Sequence, residues 1–382
     1  MTGLAVAPRS ATSDRPRLGI DLESVGRNTR LLADRAAGEL MAVVKADGFG
    51  HGAVDVARTA LAHGATRLGV TTLDEAWSLR DAGLGVPLLS WLNPVDADYA
   101  TAVARDVEVA VPGLQHLAAV AAAPGRARVH LHVDAGMARD GADPASWGLL
   151  CRAARRAEQR SELEVVGLMG HLGCADTPDD ECNALGRTRF AWAIEAARAC
   201  GLRPRDRHLA ATAATLTDPR AHHTMSRVGA GLVGIDPTGS TRLHPAMTLT
   251  APVVQVRRVR AGTPVGYGHT HRTAAATHLG LVPLGYADGL PRIASGRAEV
   301  LVRGVRRPVV GRISMDQLVV DLGVRGVDLG ETVVVFGPGA GGEPTVAEWA
   351  SWADTLEHEI VTGIGARVQR RTLATPHLRC LS

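Results

Sequence analysis

The sequence predicts an α/β chain built as a (β/α)8 TIM-type barrel followed by a mostly antiparallel β domain. Two patterns carry that prediction. Up to about residue 245, short apolar runs alternate with helical stretches, the texture of parallel strands joined by crossover helices. Beyond Pro245 the runs become β-branched and are broken by Gly and Pro, as antiparallel strands are. The length of 382 residues exceeds the usual size of one domain, so a large domain with a smaller one is expected.

Residues 1–16 contain Arg9, Asp14 and Arg15 and no continuous apolar stretch, so they are expected to form a flexible tail rather than a signal peptide. The barrel is assigned to 17–245, with strands at 41–45, 67–71, 87–91, 108–111, 128–133, 165–170, 207–210 and 229–234. Helices such as 52–63, 145–158 and 183–200 lie between them, and eight such repeats fill the roughly 200–250 residues of a barrel. The β domain is assigned to 246–382, with strands at 248–259, 278–284, 298–302, 309–313, 318–322 and 332–336. One amphipathic helix at 345–357 interrupts it, with Thr345 and Glu348 spaced as a capping box.

Composition narrows the function classes. Apolar residues at 46% and charged ones at 21% fit a soluble globular protein. The net charge of +3 is small and its charges are interspersed, which excludes a nucleic-acid-binding face. No window reaches the roughly 18 uninterrupted apolar residues of a membrane-spanning helix, so no membrane partner and a cytoplasmic location are expected. Five cysteines without a CxxC pair read as reduced thiols. His130 with His132, and His269 with His271, lack a second cluster at metal-site spacing, so no metal is expected.

In such a barrel the site lies at the carboxyl ends of the strands. The first strand delivers Lys45, the fifth runs into Arg139, the sixth delivers His171, and Arg227 and Gly229 flank the start of the last. A lysine emerging from the core has its amine pKa lowered by burial, which favours the neutral nucleophile needed for a Schiff base. On these residues alone a snorkelling strand-end lysine before a glycine cluster fits equally. The glycine-rich tail is no phosphate loop, since it lacks that motif's lysine and hydroxyl spacing. Taken singly, Tyr267 also reads as a packing tyrosine and Arg227 as a surface ion-pair arginine.

The segment Ala42-Val-Val-Lys-Ala-Asp-Gly-Phe-Gly-His-Gly52 resembles the pyridoxal-phosphate attachment motif of the alanine racemase family. Val133-Asp-Ala-Gly-Met-Ala-Arg139, Gly266-Tyr-Gly268, Gly285-Tyr-Ala-Asp-Gly289 and Gly311-Arg-Ile-Ser-Met-Asp-Gln317 are similar to its other signatures, in the same order. The resemblance implies pyridoxal 5'-phosphate in Schiff-base linkage to Lys45, and an amino-acid racemase acting on alanine or a related small amino acid. Lys45 would move the α-proton on one face and Tyr267 on the other, with His171 and Arg227 as a relay. Arg227 would face the pyridine nitrogen, and Arg139 the substrate carboxylate together with the cofactor's phenolic oxygen. Met315, Tyr286 and Asp316 would complete the substrate pocket, and Thr212, Gly229, Ala230 and position 49 the phosphate site. A homodimer with shared sites is implied.

Several positions depart from the family pattern. Phe49 stands where a phosphate-contacting tyrosine is usual, Ala211 replaces an asparagine, Thr212 a serine, and Val233 occupies part of a Tyr-Gly pair. His132 holds the place of a lysine that some members carbamylate. The shared architecture leaves open a decarboxylase or aldolase, and the departures leave open a catalytically altered paralogue in a specialised pathway.

Overall fold

A computed structural model describes residues 15–373 of the chain. Eight parallel strands, Glu39–Val43, Arg67–Val70, Leu88–Ser90, Val107–Val111, Ala127–His132, Leu163–Met169, Asp206–His208 and Met225–Val228, form one sheet in which the last pairs with the first. Backbone bonds from Thr224 to the Arg207 carbonyl (3.1 Å) and from Arg227 to the Ala210 carbonyl (3.0 Å) close the remaining seam, so the sheet is a barrel. The strands read as apolar runs because both faces are covered: every residue of Arg67–Val70 and Val107–Val111 is buried. Intervening helices start at side-chain caps where the sequence offers them. Thr72 and Glu75 form a capping box, and Asp98, Asp143 and Asp180 each accept a first-turn N–H. Trp147, wholly buried, donates to the Ala193 carbonyl (2.9 Å) and ties helix Pro144–Gln159 to helix Glu181–Ala199.

The chain divides into two compact units. Residues Ser24–His244 form the barrel unit, and the segment before Ser24 joins the residues from Pro245 onward in the other. In the second unit a six-stranded sheet runs Val305–Pro308, Glu299–Val302, Thr332–Phe336, Met247–Pro252, Arg17–Asp21, Gln369–Leu373. A three-stranded antiparallel sheet of Gln255–Val259, Thr277–Val282 and Leu318–Gly323 accompanies it. Phe336 and Trp349 are buried in this unit, the latter donating to the Val335 carbonyl (2.7 Å). Among the described residues no helix is long and apolar enough to cross a membrane.

The structure differs from the sequence reading in instructive places. The eighth barrel strand is Met225–Val228, whereas Ala230–Val233 is a 3-10 turn. Strand Arg17–Asp21, grouped by sequence with the barrel, pairs antiparallel with Met247–Pro252 and parallel with Gln369–Leu373. The helix opened by the Thr345 capping box ends at Trp352, and Glu357–Gly363 is a second helix. The expected strand at 309–313 reduces to one bridge, Val309 with Val320, while Val305–Pro308 does the pairing.

Candidate active site

Lys45 follows the strand Glu39–Val43 and opens a turn of the unusual hand. Ala46, Asp47, Gly48 and Phe49 have φ of 50°, 54°, 62° and 56°. Such backbone costs a residue with a side chain roughly 1–2 kcal/mol, so it persists only where surrounding bonds impose it. Glu75 imposes it from one side: its Oε1 accepts the Ala46 N–H (2.7 Å) while Oε2 accepts that of Thr71 (2.7 Å). Asp47 does so from the other, accepting the Ala53 N–H (2.9 Å) at the start of helix Ala53–Ala62. The half-buried amine of Lys45 is held below the ordinary lysine range by burial, then by Arg139 and Arg227, against an opposing pull from Glu75.

Arg227 lies in the strand Met225–Val228 and is buried. Its Nη2 donates to the Gly170 carbonyl (2.7 Å) and to His171 Nδ1 (3.3 Å), and its Nη1 to the carbonyl (2.7 Å) and Nδ1 (2.9 Å) of His208. Among the described residues no carboxylate accepts from it. Burial lowers its pKa to about 10, which leaves it a cation at neutral pH. His171 is pushed down to about 3 by burial, then by Arg227 and Arg139, so it is a neutral imidazole. Because Nδ1 accepts, the ring carries its proton on Nε2.

Arg139 is exposed on a loop that Asp134 ties together. One Asp134 oxygen accepts N–H bonds from Gly136 (2.8 Å), Met137 (2.8 Å) and Ala138 (3.2 Å), and Asp134 N–H returns to the Ala142 carbonyl (3.0 Å). Burial would raise this carboxyl, but the amide bonds outweigh it and keep it below the usual range. Beside the loop, buried His132 stands 3.3 Å from Asp140, so the histidine in the lysine's place holds a carboxylate next to Arg139.

Thr212 begins the helix Thr212–Thr217, and its Oγ1 accepts from Gly229 N–H (3.4 Å) and Gly231 N–H (3.2 Å). Two amides thus converge on the hydroxyl oxygen of Thr212. Both glycines are approached closely: a Cβ on Gly231 would lie 2.9 Å from Thr212 Cγ2, and one on Gly229 2.6 Å from the Phe49 ring, so a larger residue would force these side chains to move. Phe49, buried, brings apolar surface and no hydroxyl to this cradle. The barrel therefore gathers Lys45, Arg139, His171 and Arg227 electrostatically and sets Phe49, Thr212, Gly229 and Ala230 at the cradle.

The remaining predicted residues lie in the other unit, where their loops form one cluster. Tyr286 N–H bonds the Ser314 carbonyl (3.0 Å) and Ala287 N–H that of Met315 (2.9 Å), and a Cβ on Gly285 would come within 2.3 Å of both carbonyl oxygens. Gly266 and Gly268, flanking Tyr267, lie against Arg312. Arg367 bridges Asp316 (2.8 Å) and Asp288 (3.0 Å). The side chains this framework presents are open, Tyr267 at 71% exposure and Met315 at 53%.

Sequence reasoning missed Glu75, His208 and Gly231. Glu75 alone carried a readable signal, the Thr72-x-x-Glu75 capping box. The thiol expectation needs correction: Cys174 and Cys182 form a disulfide in the segment after His171, where Asn183 donates to the Cys174 and Thr177 carbonyls (3.0 Å each) and brings the ends together. Cys151 and Cys200 are free, and Cys380 lies outside the described residues.

Family models for the alanine racemase N-terminal domain and the alanine racemase C-terminal domain match residues 20–237 and 246–372. The chain belongs to the alanine racemase family. It is accordingly an enzyme, a racemase. The alanine racemase of Thermobifida fusca is 44% identical over 359 residues, covering 92% of this chain and 96% of that one. That of Mycolicibacterium smegmatis is 45% identical over 364 residues, covering 93% and 94%. The crystal structure of alanine racemase from D-cycloserine producing Streptomyces lavendulae superposes with a TM-score of 0.92 at 42% identity, covering 95% of this chain and 98% of that one.

Proposed function

We propose that the protein interconverts L- and D-alanine with pyridoxal 5'-phosphate as cofactor, using Lys45 and Tyr267 as opposed proton carriers. The carrying observation is the half-buried Lys45 amine, set by a constrained turn between Arg139 and Arg227 and shifted toward its neutral form. The donor set suits the cofactor's phosphate, since the Thr212 hydroxyl and the Gly229 and Gly231 amides are gathered in one place. When bound, the cofactor supplies the electron sink that acidifies the substrate's α-C–H bond.

This chain's own groups do the rest. Lys45 is the attachment point and takes or returns the α-proton at its Nζ. Arg227, always charged and donor-only, would hold the pyridine nitrogen of the cofactor and could not hand it a proton. Arg139 binds the substrate carboxylate through its forked donors, joined by the Met315 backbone amide and the Tyr286 and Asp316 loops of a second copy. Tyr267 carries the second proton. Its high exposure supports a site shared in a homodimer, with the Tyr267 loop supplied by a second copy.

The test is incubation with L-alanine in deuterated water, scoring α-deuteration and chirality together. Both are expected to proceed, and the protein is expected to show the visible absorbance of lysine-bound cofactor, lost in Lys45→Ala. Absence of α-exchange with every amino acid tried overturns the reading.

A further inference from the structure

We infer that His208, His130 and Glu108 are positioning residues for Arg227, forming a one-way hydrogen-bond chain that makes Glu108 the counter-charge of the buried guanidinium. The inference rests on the role proposed for Arg227. Its basis is geometric. Arg227 Nη1 stands 2.9 Å from His208 Nδ1, His208 Nε2 is 2.8 Å from His130 Nδ1, and His130 Nε2 is 2.9 Å from Glu108 Oε2. Both imidazoles have no exposed surface and Glu108 has 3%.

A guanidinium has donors only, so His208 Nδ1 must accept and the ring's hydrogen must sit on Nε2. That hydrogen then points at His130 Nδ1, which must accept in turn, leaving the His130 hydrogen on Nε2 and aimed at Glu108. No other arrangement of protons satisfies all three contacts. The chain is therefore directional, two neutral rings between a fixed cation and a fixed carboxylate.

The barrel is shaped to hold it. Strand Leu163–Met169 carries Gly167 where a Cβ would fall 1.9 Å from His130 Nδ1, so no other residue leaves the ring its room. Glu108 is anchored from beyond by Arg67 (3.5 Å) and Arg128 (3.3 Å), and Arg67 by Asp206 (3.1 Å) and Glu39. Burial of a cation without a counter-ion is costly. A charge reached through two polarisable rings lowers that cost without placing a carboxylate against Arg227, where it would compete for the donors facing the site.

The experiment is nitrogen NMR of the holoenzyme labelled at histidine. Both rings are expected to carry their hydrogen on Nε2 with Nδ1 bare; a hydrogen on Nδ1 at either position overturns the chain. In Glu108→Gln, kcat is expected to fall by at least about fivefold, the difference between a charged and a neutral acceptor. KM and cofactor content should stay near wild type, the melting temperature should fall because buried Arg67 and Arg227 lose their counter-charge, and the His130 Nε2–H resonance should shift. Unchanged kcat, or a fall explained by lost cofactor, overturns the positioning role. Should Glu108→Gln not fold, the wild-type tautomers still decide the chain. A wild type that exchanges no α-proton overturns the proposed function and the positioning role with it; wrong tautomers overturn the chain while leaving racemisation standing.

Discussion

The barrel rim and the loop cluster of the β domain solve opposite problems. At the rim, groups are buried or half-buried and their proton affinities are moved: Lys45 down, Arg227 to about 10, His171 to about 3. In the loop cluster, Gly285 fixes the backbone by close approach to carbonyls while Tyr267 and Met315 stand open. The rim groups are tuned by burial and by one another's charges; the loops hold their backbone in place and leave the side chains they carry open. Tuning and presentation have been separated, so each can be damaged alone.

The strongest test of that separation is Tyr267→Phe. Removing the hydroxyl is expected to lower racemisation by about 10²–10⁴-fold, the range of one lost acid–base group, while the lysine-bound cofactor's absorbance stays intact. Loss of absorbance would mean that the loops also build the cofactor site. Next comes Gly285→Ala, whose methyl would meet two backbone oxygens at 2.3 Å. A destabilisation of about 1–3 kcal/mol is expected in urea melts, with turnover reduced and cofactor content retained.

Acid stability isolates the rim. His171 has an ordinary pKa of 6.5 and about 3 in the fold, so between these values the unfolded chain takes up a proton that the folded chain does not. Its contribution is complete above pH 6.5 and shrinks as pH falls toward 3, by at most about 1.4 kcal/mol per pH unit. Replacing it, as in His171→Asn, is expected to flatten that limb in urea melts at a series of acid pH values. An unchanged slope would show that the ring is not buried neutral. The smallest effect is Phe49→Tyr, where a hydroxyl at the cradle should tighten cofactor binding by about 1 kcal/mol, near fivefold in equilibrium titration. No gain would place the ring edge away from the phosphate.

The part of this legible in the sequence follows from periodicity and turn chemistry. Apolar runs located seven barrel strands because both of their faces are covered. The eighth escaped because Ser226 and Arg227 break its apolar run, while the more apolar Ala230–Val233 closes on itself as a turn. Lys45, Arg139, Tyr267 and Met315 stood out through glycine-rich motifs, whose glycines are needed for positive φ or close approach. Glu108, His130 and His208 did not stand out as a set: they sit in three separate strands, and the contacts that join them span 22 to 78 positions. The strand Arg17–Asp21 pairs with segments more than 200 residues on, which no local pattern encodes.

The left-handed turn after Lys45 has an engineering consequence. Ala46, Asp47 and Phe49 together carry roughly 3–6 kcal/mol of conformational strain that glycine would relieve. Ala46→Gly should therefore yield a chain that resists heat better yet turns over more slowly, because the relaxed backbone no longer aims the amine. Thermal screening alone would select against catalysis at this one position.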